Sequence, residues 1–112
     1  MRKVLTLITL ITATALALVL LAAPAGAGSA AKVVKAVNFE FKPKSLTIQK
    51  GTKVTWKNVF GTHTVTFKAF NFDKTISANH KTVSKTFRQT GTFRYVCRFH
   101  KSFGMRGKII VQ

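Results

Sequence analysis

From Val37 onward, hydrophobic residues recur at every second position in short runs. Val37, Phe39 and Phe41 alternate with Asn38, Glu40 and Lys42, and Pro43 then marks a turn or a sheet edge. Leu46 and Ile48 alternate with Thr47 and Gln49, and Lys50-Gly51 supplies the next turn. Val54 and Trp56 follow, then His63, Val65 and Phe67 beyond Gly61. Lys81 to Arg88 has strand character through Val83 and Phe87. Thr92 to Cys97 places Phe93, Tyr95 and Cys97 on one face, and Lys108 to Val111 forms a last strand. Side chains alternate faces along a strand, so period two with turn residues at each boundary predicts half-buried strands. About seven short strands at close spacing, with no helical period, predict an all-β antiparallel sandwich or barrel. The stretch from Lys68 to Asn79 lacks clean alternation and reads as a long connection with room for a short strand or one helical turn.

Composition removes several classes of function. A chain of 112 residues holds one domain. Cys97 stands alone, which excludes a disulfide framework, an all-cysteine zinc site and a Cys-Cys redox pair. Glu40 and Asp73 are the only acidic residues, too few for a carboxylate-rich calcium site or a paired-carboxylate glycosidase. Ten Phe and 46% hydrophobic residues can fill a small core in spite of a net charge of +17.

Residues 1–30 have the layout of an export signal. Met1-Arg2-Lys3 is followed by an uncharged run from Val4 to Leu21 and then by small residues from Ala22 to Ala31. Cleavage after Ala25, Ala27 or Ala30 would release the domain, and retention of the run would anchor it. Either outcome places residues 31–112 outside the cytoplasm, periplasmic or extracellular. Loss of Arg2 and Lys3 leaves a charge of +15. Such a charge attracts an acidic protein, an anionic envelope polymer or a membrane surface. Nucleic acid, the usual partner of so basic a domain, is set aside by the export signal.

The chemistry-bearing residues are Cys97, His100 and Met105, spaced C-x2-H-x4-M, with His63 upstream at the start of a strand. One thiolate, two imidazoles and one thioether are the donor set of a type 1 copper site. The sulfur donors suit Cu(I), and the imidazoles serve both oxidation states. Zinc fits less well, since a structural zinc site needs a fourth strong ligand and Met is a poor one. His80 lies in the irregular middle and reads as a surface loop residue. Phe60, Phe99 and Phe103 sit in the segments that carry His63 and His100, as a cover for the metal or as an exposed apolar patch.

The stretch from Val37 to Gln112 resembles the cupredoxins, nearest to those of the plastocyanin and amicyanin kind. The resemblance lies in Lys50-Gly51-Thr52-Lys53-Val54-Thr55-Trp56-Lys57-Asn58, in His63-Thr64-Val65 and in Gly91-Thr92-Phe93-Arg94-Tyr95-Val96-Cys97. It continues through His100, Met105 and Gly107-Lys108-Ile109-Ile110-Val111. It implies a small Greek-key β-sandwich and one copper ion held by His63, Cys97, His100 and Met105. It also implies one-electron transfer rather than catalysis, with His100 as the ligand near the surface. Two departures stand out. Phe99 occupies the place usually held by Pro, so its N–H is expected as an added donor to the Cys97 sulfur. Thr62 and Thr64 replace the Pro and Asn that often flank the first His, which removes the Asn side chain that locks the loop and leaves the backbone role of that position.

The expected function is therefore a monomeric, exported electron carrier working with an acidic cytochrome, oxidase or reductase. A copper scavenger, buffer or delivery module would use the same ligands, and a metal-independent cationic β domain would use the charge alone.

Overall fold

The computed structural model describes Ala17 and residues 31–112. The expected export signal and anchor, residues 1–30, lie outside the described residues apart from Ala17. Among the described residues there are nine strands in two sheets. They are β1 (Lys32–Val37), β2 (Glu40–Lys42), β3 (Ser45–Ile48), β4 (Lys53–Asn58) and β5 (His63–Phe67). After a 3-10 turn at Lys68–Phe70 come β6 (Phe72–Ile76), β7 (Thr82–Thr86), β8 (Gly91–Val96) and β9 (Arg106–Val111). One sheet runs β2-β1-β4-β7 and the other β3-β9-β8-β5-β6. The molecule is the expected small all-β Greek-key sandwich.

Two strands go beyond the seven expected, each for a local reason. The expected run Val37–Phe39–Phe41 is split by a turn at Asn38-Phe39, where Phe39 takes φ +58°. Strand β1 lies before that turn with Val34 and Ala36 facing inward, and Phe41 of β2 faces inward after it. The irregular middle holds both the helical turn and β6, whose Ile76 is buried. The sheets are also mixed rather than purely antiparallel. β1 runs parallel to β4, and β3 parallel to β9. The chain leaves the first sheet to form β3 in the second, then returns beside β1 in the same direction.

The core fills the space between the sheets. Trp56 meets Tyr95 and Phe67 edge-on, with ring centroids 5.4 and 5.6 Å apart, and Phe41 packs on Tyr95 at 4.7 Å. Edge-to-face contacts of this kind add to the gain from burial alone. Ile48, Val65, Ile109 and Val111 complete the interior from the second sheet. Three adjacent strands of that sheet, β5, β8 and β9, carry the candidate site at one end.

Candidate metal centre

His63 is the first residue of β5 and is buried. The segment before it turns at Gly61, with φ +83°, and a Cβ there would lie 3.3 Å from His63 Nε2. Glycine at this position therefore suits both the positive φ and the close ring. The carbonyl of Phe60 lies 2.6 Å from His63 Nε2, and Asn58 Nδ2 donates to the carbonyl of Gly61 at 2.8 Å. A carbonyl only accepts, so Nε2 carries the proton and the Nδ1 lone pair points into the site.

Cys97 follows β8 directly, and Met105 precedes β9. Between them the chain closes on itself. Cys97 N–H donates to the Met105 carbonyl at 3.0 Å, and Met105 N–H donates to the His100 carbonyl at 3.2 Å. A 3-10 turn at Lys101–Phe103 ends at Gly104, with φ +77°. Cys97 and Met105 are buried, while His100 is half-buried.

The donor atoms converge. His63 Nδ1 lies 3.2 Å from His100 Nδ1 and 3.8 Å from Cys97 Sγ, and His100 Nδ1 lies 3.5 Å from Cys97 Sγ. A point equidistant from the three atoms lies about 2.0 Å from each, the length of a first-row metal–nitrogen bond. Burial pushes the His63 imidazole below its ordinary range, with the hydrogen bond to Phe60 opposing and the nearby His100 assisting. A neutral imidazole is the form that binds a metal. A soft thiolate with two imidazoles, and a buried thioether at the end of the same loop, is a donor set that fits copper.

The sulfur has a backbone donor at the Asn position, but lacks the added one expected from Phe99. Thr64 N–H points at Cys97 Sγ at 3.4 Å. Phe99 N–H makes no such bond among the described residues. Thr64 Oγ1 in turn accepts from Arg98 N–H at 2.8 Å, so the residue in the Asn position still ties β5 to the ligand loop. Phe60, Phe99 and Phe103 are all exposed, at 65, 51 and 66%. Phe39 joins them, stacked on Phe103 at 4.8 Å and edge-on to His100 at 4.7 Å. Reading Phe39 as an inward strand residue conceals this, although the Asn before it is a turn signal. His80 is exposed in the turn after β6, as expected.

A β-sandwich with this buried donor set at one end defines a class of single-copper proteins. The chain belongs to the plastocyanin/azurin family of copper binding proteins, whose profile matches residues 29–112. It is similar to the plastocyanin of Scenedesmus fuscus, 33% identical over 84 residues that cover 64% of this chain and 86% of that one. The chloroplastic plastocyanin of Chlamydomonas reinhardtii is 35% identical over 85 residues, covering 65% of this chain and 59% of that relative. Among solved structures, the oxidised plastocyanin of the fern Dryopteris crassirhizoma matches with a TM-score of 0.65 at 25% identity. That match covers 71% of this chain and 99% of the fern protein. A reduced Cu(I) form of an amicyanin mutant at pH 4 matches with a TM-score of 0.65 at 29% identity, covering 74% of this chain and 83% of that one.

Proposed function

We propose that this protein is an exported, monomeric electron carrier that holds one type 1 copper ion between His63, Cys97, His100 and Met105. The observation that carries the reading is the convergence of His63 Nδ1, His100 Nδ1 and Cys97 Sγ, all within 4.8 Å of one another. Copper, when bound, supplies a single electron that can be gained and lost reversibly. The chain supplies everything else. The Phe60 carbonyl holds the His63 ring so that Nδ1 cannot turn away. Thr64 N–H steadies negative charge on the Cys97 sulfur. Burial of His63, Cys97 and Met105 keeps water from the donors. His100, half-buried among Phe39 and Phe103, is the donor residue nearest solvent and the exit for the electron. Four protein ligands leave no open position for substrate, which is the reason to read a carrier and not an enzyme.

Residues 1–30 act in this reading as the export signal of a periplasmic or extracellular protein. The partner is an acidic redox protein, a cytochrome, an oxidase or a reductase, since a carrier of such positive charge is steered toward negative surfaces. One equivalent of Cu(II) should give an intense visible thiolate-to-copper band that is lost in Cys97→Ala. A colourless protein overturns the copper site. Fast electron self-exchange supports the carrier, whereas slow exchange with ready copper loss makes it a copper buffer.

A further inference from the structure

Among the described residues lysines occur on both sheets, but the arginines cluster. Residues 31–112 contain four arginines, and three of them, Arg94, Arg98 and Arg106, line one cleft. The cleft, about 610 Å³, lies on the outer face of the β5-β8-β9 strands, with Lys101 among its walls and Thr66 and Val96 on its floor. A second, smaller depression lined by Lys44 and Lys108 shares Arg94 and Arg106 with it.

Folding gives no reason for this arrangement. Arg94 sits directly opposite Lys108 across β8 and β9. Like charges facing each other weaken a sheet. The one carboxylate in the cleft is Asp73, and it is engaged by Arg98 through both oxygens, at 3.1 and 3.0 Å. Glu40 lies near Lys42 on the other sheet, at 3.9 Å. Among the described residues Arg94, Arg106 and Lys101 therefore have no acidic partner.

We infer that this cleft is the docking groove for an acidic segment of the redox partner, whose Asp and Glu carboxylates seat on Arg94 and Arg106 as Asp73 seats on Arg98. The inference rests on the electron-carrier reading and adds to it the place and chemistry of contact. The planar guanidinium fork matches a carboxylate in two parallel hydrogen bonds, which a lysine cannot do. Position favours a protein over a small free anion. Arg98, Lys101 and Arg106 are each the residue that follows a proposed ligand, Cys97, His100 and Met105. An occupant of the groove is thus held beside the metal centre, next to the exposed rings of Phe99 and Phe103. Arginines beside exposed aromatic rings are the residue types enriched at protein interfaces.

The test uses the full chain with a hexaglutamate peptide as the probe, followed by amide chemical shifts. Shifts should cluster on Arg94, Val96, Arg98 and Arg106. Affinity should fall at least about tenfold in the double variant Arg94→Gln with Arg106→Gln. It should fall less than about twofold in Lys53→Gln with Lys57→Gln, which removes the same charge from the other sheet. Arg94→Lys keeps the charge and loses the fork, so it should weaken binding about threefold or more even if the double variant unfolds. Shifts spread over the lysines, or equal weakening in the two double variants, would overturn the groove. Inorganic phosphate binding the groove as tightly as the peptide would overturn the protein partner in favour of a small anion. The Cu(II) band is read on the same samples. A missing band with a localised map sinks the carrier and leaves the acidic-peptide groove standing, while an intact band with a diffuse map does the reverse.

Discussion

Tyr95 lies across Gly107 so closely that a Cβ there would fall within 2.7 Å of the ring's Cε1 and closer still to Cζ and the hydroxyl. The two residues are direct cross-strand partners on β8 and β9. The glycine opens the space that lets the Tyr95 ring fold inward between the sheets, where it also meets Trp56, Phe67 and Phe41. Burial pushes the Tyr95 phenol well above its ordinary pKa, so the ring stays neutral in this cluster. A methyl at position 107 cannot be accommodated by a small shift, because backbone lies on one side of the ring and packed aromatics on the other. Gly107→Ala should therefore cost about 2–3 kcal/mol through overpacking. Urea unfolding is the measurement, with a lower midpoint at an unchanged slope as the expected result. A midpoint equal to that of the wild type would mean that Tyr95 has another place to go.

Strand pairing, rather than any single residue, sets the link between β6 and the ligand loop. The β5–β6 register places Thr66 opposite Asp73. Thr66 Oγ1 lies 2.7 Å from Asp73 Oδ1 and 3.0 Å from Thr64 Oγ1. An ionised carboxylate only accepts, so the single Thr66 proton goes to Asp73. The bond from Thr66, then that from Arg98, holds the Asp73 carboxyl below its ordinary 3.8. A lowered folded pKa means that the unfolded chain takes up the proton first on acidification. The stabilising contribution is complete above the unfolded value and is lost as pH falls through the folded one. Between pH 6 and 2 the wild type should lose more stability than Asp73→Asn, and parallel acid-unfolding curves would show that the link contributes nothing. None of this pairing is legible in the sequence, because it depends on register between distant residues. The ligand loop was legible, since Cys97, His100 and Met105 lie within one short stretch and the parity of β8 is unbroken. Strand β1 was obscured because Lys32 and Lys35 fall on opposite faces and mask the alternation carried by Val34 and Ala36, and Phe39 because the Asn38-Phe39 turn resets the alternation. The absence of the added Phe99 bond to Cys97 was not legible either. A free N–H at Phe99 is a local fact, but which N–H reaches the sulfur is decided by the approach of β5 to the loop.

At the scale of the whole molecule two forces act on the same fold and can be separated. The chain carries +17, and its two acidic side chains are already taken up, by Lys42 and by Arg98. Compaction brings the remaining cations together without counter-charges, and their repulsion favours the unfolded chain. Salt weakens that repulsion, the screening length falling from about 30 Å at 0.01 M to about 8 Å at 0.15 M. Metal acts through a different route. An ion bound only by the folded state adds stability by mass action, about 4 kcal/mol when present at a thousandfold its dissociation constant. The first effect involves every lysine and arginine, and the second requires Cys97. Raising NaCl over that range should therefore raise the melting temperature of the wild type and of Cys97→Ala by similar amounts. Copper should raise that of the wild type alone. Melting that falls with salt would mean that ion pairs outweigh repulsion in this fold. Equal melting of the apo and copper forms would mean that the pocket between His63, Cys97 and His100 does not hold copper in preference to the unfolded chain.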